Sequence, residues 1–163
     1  MDEIKRRAAG HLLIGLQLRT GKYDVYRFLE PEDVELFWAC AEDFATGNAK
    51  YLVYVSTDDD GVKRAAAERF GSRLLAVDAK ASFNHHEYNA SADSSALVVD
   101  HFMLSTCDHL VVTAGSTFGG MAAMRAGLVP HFVRGGAQSR NETCKLASVT
   151  DPPVGYKMPA PAW

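Results

Sequence analysis

The sequence is poor in several features that would announce a function. It has only three cysteines, Cys40, Cys107 and Cys144. They show no CxxC or metal-ligand spacing, and two lie in helix-like apolar stretches where buried free thiols are common, so neither zinc nor a disulfide framework is expected. No apolar run approaches the roughly 20 residues that span a bilayer. Met1 to Arg7 is too polar for a signal peptide, so the chain is expected to be soluble, with no membrane contact from this segment. An excess of positive charge is also missing: Lys and Arg total 17 against 20 Asp and Glu, a formal net charge of -3. Without a broad basic face, nucleic acid is a poor partner, and any phosphate must be bound locally. No GxGxxG, GxxxxGK[ST] or GxSxG occurs, which disfavours dinucleotide oxidoreductases, P-loop enzymes and typical α/β-hydrolases.

What is present is the material of one globular domain. The 163 residues are 47% hydrophobic and 23% charged, enough to bury a core. Residues 11–18 form a mostly apolar run stopped by Arg19-Thr20-Gly21, which predicts a strand and a turn. Between Glu32 and Phe44 the apolar residues Val34, Phe37, Trp38, Ala41 and Phe44 recur at helical steps behind Pro31. Tyr51–Val55 predicts a second strand, 62–70 a helix, 73–77 a third strand and 79–92 a surface loop. A helix over 94–106, a strand over 109–113, a helix from Ser116 to Ala126 and a strand over 128–133 follow. Alternation of apolar strands with helices predicts an α/β fold, a Rossmann-like parallel sheet with helices on both faces. The chain 1–163 reads as a single domain, with 135–163 an extended Pro-rich tail that holds Pro152, Pro153, Pro159 and Pro161. Two sequons, Asn89-Ala90-Ser91 and Asn141-Glu142-Thr143, fall in polar, loop-like segments that suit a lumenal protein.

In an open parallel sheet, ligands bind beyond the carboxyl ends of the strands. That rule selects Arg19, the stretch Ser56–Asp60, His85–Glu87 and Ser116-Thr117-Phe118-Gly119-Gly120. The last is a strand-to-helix turn whose free amides and helix dipole suit a diphosphate, although Ser or Thr there is equally an ordinary helix cap. Arg19 has the planar fork to engage phosphate oxygens, or it forms a surface ion pair. Asp100 interrupts the apolar helical stretch 96–104. A carboxylate there suits paired donors such as guanine N1–H and its exocyclic amine; a solvated helix face explains it as well. His86-Glu87 reads either as a hydrogen-bonding pair or as exposed loop. Asp58-Asp59-Asp60 lies where aspartates cap a helix, so no metal is expected.

These residues resemble the C-terminal donor-binding domain of GDP-fucose-dependent transferases, above all the xyloglucan-type plant fucosyltransferases, with a more distant likeness to α-1,6 and protein O-fucosyltransferases. The likeness runs from about Gly10 to Pro159. Ile14-Gly15-Leu16-Gln17-Leu18-Arg19 is similar to the family's strand ending in a diphosphate-contacting arginine, with Gln17 where several branches have histidine. His86-Glu87 resembles the plant Ser-His-Glu stretch. Asp100 through Val111 resembles an acidic residue, an apolar stretch and Asp-x-Leu-Val, with Asp100 at the guanine-reading position of the α-1,6 branch. Ser116-Thr117-Phe118-Gly119 matches the plant Ser-Thr-Phe-Gly, and Arg140–Thr143 the basic, sequon-bearing segment after it.

The resemblance implies the C-terminal half of a GT-B fold. It implies a GDP-fucose donor held by Arg19, His86, Asp100, Ser116, Thr117, Phe118 and Gly119, and inverting transfer of fucose to an oligosaccharide hydroxyl. It further implies no metal, no cofactor and a Golgi lumenal location. Family members also carry a membrane anchor and an acceptor-binding domain, neither of which is expected within this sequence. No general base is identified. A non-catalytic nucleotide- or glycan-binding module derived from such a domain is the alternative.

Overall fold

Alternate residues of a strand face opposite sides of a sheet, and in β1 (Leu12–Leu18) one side is wholly apolar while the other carries Leu13, Gly15 and Gln17, the last two buried. Ile14, Leu16 and Leu18 belong to one buried cluster, while Leu13 packs against the other. A strand covered on both faces suits the centre of a parallel sheet. The computed structural model describes residues 6, 8–21, 29–75, 95–136 and 144–146. In chain order after β1 come α1 (Val34–Ala45), β2 (Tyr51–Thr57), α2 (Asp60–Phe70), α3 (Ser95–Leu104), β3 (His109–Thr113), α4 (Thr117–Ala126), β4 (His131–Val133) and β5 (Lys145–Leu146).

The strand order is β2-β1-β3-β4-β5. The first four strands are mutually parallel, and β5 runs antiparallel to β4. Val34, Phe37, Trp38 and Ala41 of α1 and Val62, Ala66 and Phe70 of α2 share a cluster with Ile14, Leu16, Leu18, Val53 and Val111. Met103 and Leu104 of α3 and Ala122 and Ala123 of α4 share the second with Leu52, Tyr54, Leu110 and Val112. Helices therefore cover both faces, as the alternation predicted.

Local chemistry sets several element ends. A turn of 3-10 helix at Pro31–Asp33 opens α1, where Glu30 and Asp33 form a capping box and the Glu30 amide donates to Asp33 Oδ2 at 2.8 Å. Asp33 is fully buried, and its Oδ2 also accepts from the Gly136 amide at 3.0 Å, which ties the chain beyond β4 to the start of α1. Trp38 meets Phe70 edge to face at 5.4 Å and locks α1 to α2.

Three expectations change. The strand over 73–77 is absent in its described part: Arg73 lies in a 3-10 turn, and only Leu74 bridges Val53, with the Leu75 amide donating to the Val53 carbonyl. The strand expected over 128–133 begins only at His131. Gly127 takes the left-handed conformation, φ 68°, and the Leu128 amide reaches back to the Ala123 carbonyl to close α4, so Leu128 is part of the helix cap. The third change concerns the cysteines. Cys40 of α1 and Cys144, just before β5, are disulfide-bonded, with Cα atoms 5.4 Å apart. The two are separated by 104 residues, and only the placement of β5 against β4 brings them together. Cys107 is a buried free thiol, pushed up to about 12 by burial and then by Asp108.

Among the described residues, no helix is long and apolar enough to cross a membrane.

Candidate nucleotide-binding site

With β2 on one side of β1 and β3 on the other, successive connections diverge between β1 and β3, the switch point at which open α/β sheets form a crevice. The carboxyl ends of these two strands are stitched by one side chain. Thr113 Oγ1 donates to the Gln17 carbonyl at 3.1 Å and accepts from the Arg19 amide at 2.8 Å. Thr113 is 1% exposed, so the link is shielded from water. It holds the Arg19 loop beside the turn that follows β3.

The direction of Arg19 is set from β2. Asp58 Oδ1 accepts from the Thr20 amide at 2.8 Å and from Thr20 Oγ1 at 2.9 Å. Its Oδ2 accepts from the Gly21 amide at 3.2 Å and lies 3.5 Å from Arg19 Nη1. The Asp58 side chain is 7% exposed and that of Arg19 25%, so the carboxylate is spent inside the fold while the guanidinium keeps a solvent-facing edge. Gly21 adopts φ 68°, a conformation that glycine takes without strain. The alternative for Arg19 is a surface ion pair; the pair found is instead with the buried carboxylate of Asp58, whose hydrogen bonds to Thr20 and Gly21 organise the loop.

The turn after β3 is Ala114-Gly115-Ser116, with the Ser116 amide donating to the Thr113 carbonyl at 3.0 Å. Ser116 caps α4, its Oγ accepting from the Gly119 amide at 3.5 Å. The amides that open a helix point outward along its axis and carry the positive end of its dipole. Thr117 is exposed and Phe118 half-buried, whereas Gly119 is buried against the sheet. A Cβ on Gly119 would lie 2.7 Å from Gln17 Oε1 and 2.8 Å from Val112 Cβ and Cγ1. The glycine thus lets the first turn of α4 sit directly on β1 and β3. Gln17 is 4% exposed, and its Oε1 has no hydrogen-bond partner among the described residues.

Asp100 projects from α3 toward the carboxyl half of β2. Its Oδ1 accepts from the Tyr54 hydroxyl at 2.5 Å and its Oδ2 from Ser56 Oγ at 2.7 Å. Burial, and then the charge of Asp100, push the Tyr54 hydroxyl far above its ordinary range, so it remains a donor. The next residue, His101, meets Phe118 edge to face at 5.5 Å, which places α3 against the first turn of α4. Strands lie about 4.8 Å apart, so the groups above β2, β1 and β3 span about 10 Å of sheet edge.

The structure therefore gathers Arg19, Ser116, Thr117, Phe118 and Gly119 around one switch point, and links Asp100 to it through His101 and Phe118. His86 and the His86-Glu87 pair lie outside the described residues, as do both sequons and Arg140–Thr143. The three aspartates diverge: Asp58 turns to the Arg19 loop, Asp59 caps α2 by accepting from the Gly61 amide, and exposed Asp60 pairs with Lys63. Sequence reasoning selected Ser56–Asp60 by position, but it missed Asp58 as an organiser of Arg19, missed Thr113, and missed the partners of Asp100, Tyr54 and Ser56. A signal existed for the last two, since Leu52, Tyr54 and Ser56 share one face of an apolar strand, where hydroxyls need partners.

No protein-family profile matches the chain. No curated protein sequence matches it either. Solved structures do. A mutant of Arabidopsis thaliana FUT1 in complex with GDP is 18% identical over 91% of this chain and 36% of that one, with a TM-score of 0.60. Fucosyltransferase NodZ from Bradyrhizobium is 17% identical over 80% of this chain and 40% of that one, TM-score 0.54. NodZ alpha-1,6-fucosyltransferase co-crystallized with GDP gives 19%, 81%, 43% and 0.52. At such identities the likeness is one of fold, and this chain spans well under half the length of these proteins.

Proposed function

We propose that the chain is a GDP-fucose-binding domain of a fucosyltransferase, the donor half of a GT-B glycosyltransferase that transfers fucose with inversion to a glycan hydroxyl. The observation that carries this reading is the stitch at the switch point: Thr113 fixes the Arg19 loop beside the N-terminus of α4. A guanidinium and a set of helix-start amides on one crevice suit a diphosphate, for which both supply charge-assisted donors. The shared fold with a GDP-bound FUT1 and with NodZ supports the choice of nucleotide.

In this reading Arg19 and the turn Ser116–Phe118 neutralise charge that develops on departing GDP. Preorganised donors are most effective at that point, because they are already in place when the charge appears. The Asp100 carboxylate accepts from guanine N1–H and the exocyclic amine with the acceptor sites left over from Tyr54 and Ser56. The reading needs no metal or cofactor, and it leaves the oligosaccharide acceptor and the general base to other parts of the enzyme. A disulfide between Cys40 and Cys144 fits an oxidising lumen such as the Golgi, since such bonds are rare in the cytosol.

Calorimetric titration with GDP and UDP tests the proposal. Selective GDP binding is expected, and Arg19→Ala should weaken it by roughly ten- to a hundredfold, since hydrogen bonds to charged groups contribute about 1.5–3 kcal/mol. Equal binding of UDP, or none of either, overturns it. Turnover of GDP-fucose with an oligosaccharide separates an enzyme from a binding module.

A further inference from the structure

Tyr54 lies between Leu52 and Ser56 on one face of β2, 4% exposed in a cluster with Leu52, Leu75, Met103 and Leu104. Phenylalanine would fill that space, and a buried phenolic hydroxyl is tolerated only where it finds a partner. Its partner is one oxygen of Asp100, and two residues along the same strand face Ser56, 6% exposed, donates to the other. Both bonds have the short length of hydroxyls donating to a charged carboxylate. A tether between β2 and α3 would need one such bond. Two donors, one on each oxygen, also fix the rotation of the carboxylate about its terminal bond, so its remaining acceptor sites face a set direction. An ionised carboxylate offers about four acceptor sites, so two stay available. Because Ser56 is in register with Gln17 of β1, the clamp lies toward the carboxyl edge, the same edge as the Arg19 loop.

We infer that Tyr54 and Ser56 are positioning residues for base recognition: they clamp the Asp100 carboxylate so that its two free acceptor sites meet the paired donors of a guanine edge. This rests on the GDP reading of the site. Neither residue touches the nucleotide; both act through Asp100, and they set specificity for the base without contributing to the hold on the diphosphate.

The experiment compares GDP, inosine diphosphate, which lacks the exocyclic amine, and inorganic pyrophosphate on the wild type, Tyr54→Phe and Ser56→Ala. The wild type is expected to prefer GDP over inosine diphosphate. Tyr54→Phe, which keeps the ring and its packing, should lower GDP affinity about tenfold and narrow the GDP-to-inosine ratio while pyrophosphate binds as before; Ser56→Ala should do the same. If pyrophosphate affinity falls in step with GDP, or the ratio survives in both variants, the pair is a structural tether and the inference is overturned while the GDP reading stands. If the wild type binds GDP no better than UDP, the base reading fails at its root and takes this inference with it.

Discussion

Gly119→Ala tests the seating of α4 on the sheet, which every reading of the anion site requires. Within a helix, alanine is favoured over glycine by about 1 kcal/mol. At Gly119 the added methyl would arrive 2.7 Å from Gln17 Oε1 and 2.8 Å from both Val112 Cβ and Cγ1. Carbon atoms settle at about 3.5–4.0 Å, so the helix start and Val112 must part by about 0.7 Å or more. Gln17 can swing its amide; Val112 Cβ is one bond from the backbone of β3 and cannot. Overpacking of this kind costs about 1–3 kcal/mol. One residue on, a Cβ at Gly120 would meet nothing within 4 Å. The two substitutions share the propensity gain, so the difference between them isolates the packing cost. Gly119→Ala should be less stable than Gly120→Ala by about 1–3 kcal/mol, a separation of roughly 4–8 °C in melting temperature at the middle of that range. Because the same displacement lifts Ser116–Phe118 off the crevice, GDP affinity should fall for Gly119→Ala and stay unchanged for Gly120→Ala. Parallel thermal melts and titrations read both. Equal melting temperatures would show that α4 is not seated as described.

Two further outcomes follow from the covalent and titratable groups. In denaturant without reductant the chain should show one reactive thiol, Cys107, rising to all three cysteines after reduction; loss of the Cys40–Cys144 bond should cost about 2–5 kcal/mol of stability. Three thiols before reduction would contradict the disulfide. His131, held below its ordinary 6.5 by burial and then by His109, packs edge to face on Phe44, which also stacks on His109. A depressed folded value means that the unfolded chain takes up the proton first, so the stability tied to His131 is present above about pH 6.5 and is lost as pH falls through the lowered value. His131→Phe should flatten the melting temperature between pH 7.5 and 5, and an unchanged slope would remove His131 as its cause.

The sequence by itself determined what depends on neighbours a few residues apart. The helical period of Val34, Phe37, Trp38 and Ala41, the apolar runs of β1, β2 and β3, and the small and hydroxylated residues opening α4 all act within one element, so their signals survive in a linear string. The tertiary structure alone decided what joins distant segments. Asp58 grips Thr20 and Gly21 across about forty positions, Tyr54 and Ser56 reach Asp100 across more than forty, and Cys40 meets Cys144 across 104. Each of these contacts exists because the strands lie in the order β2-β1-β3-β4-β5. That order is settled by how all the apolar faces bury together, and no local run of residues encodes it.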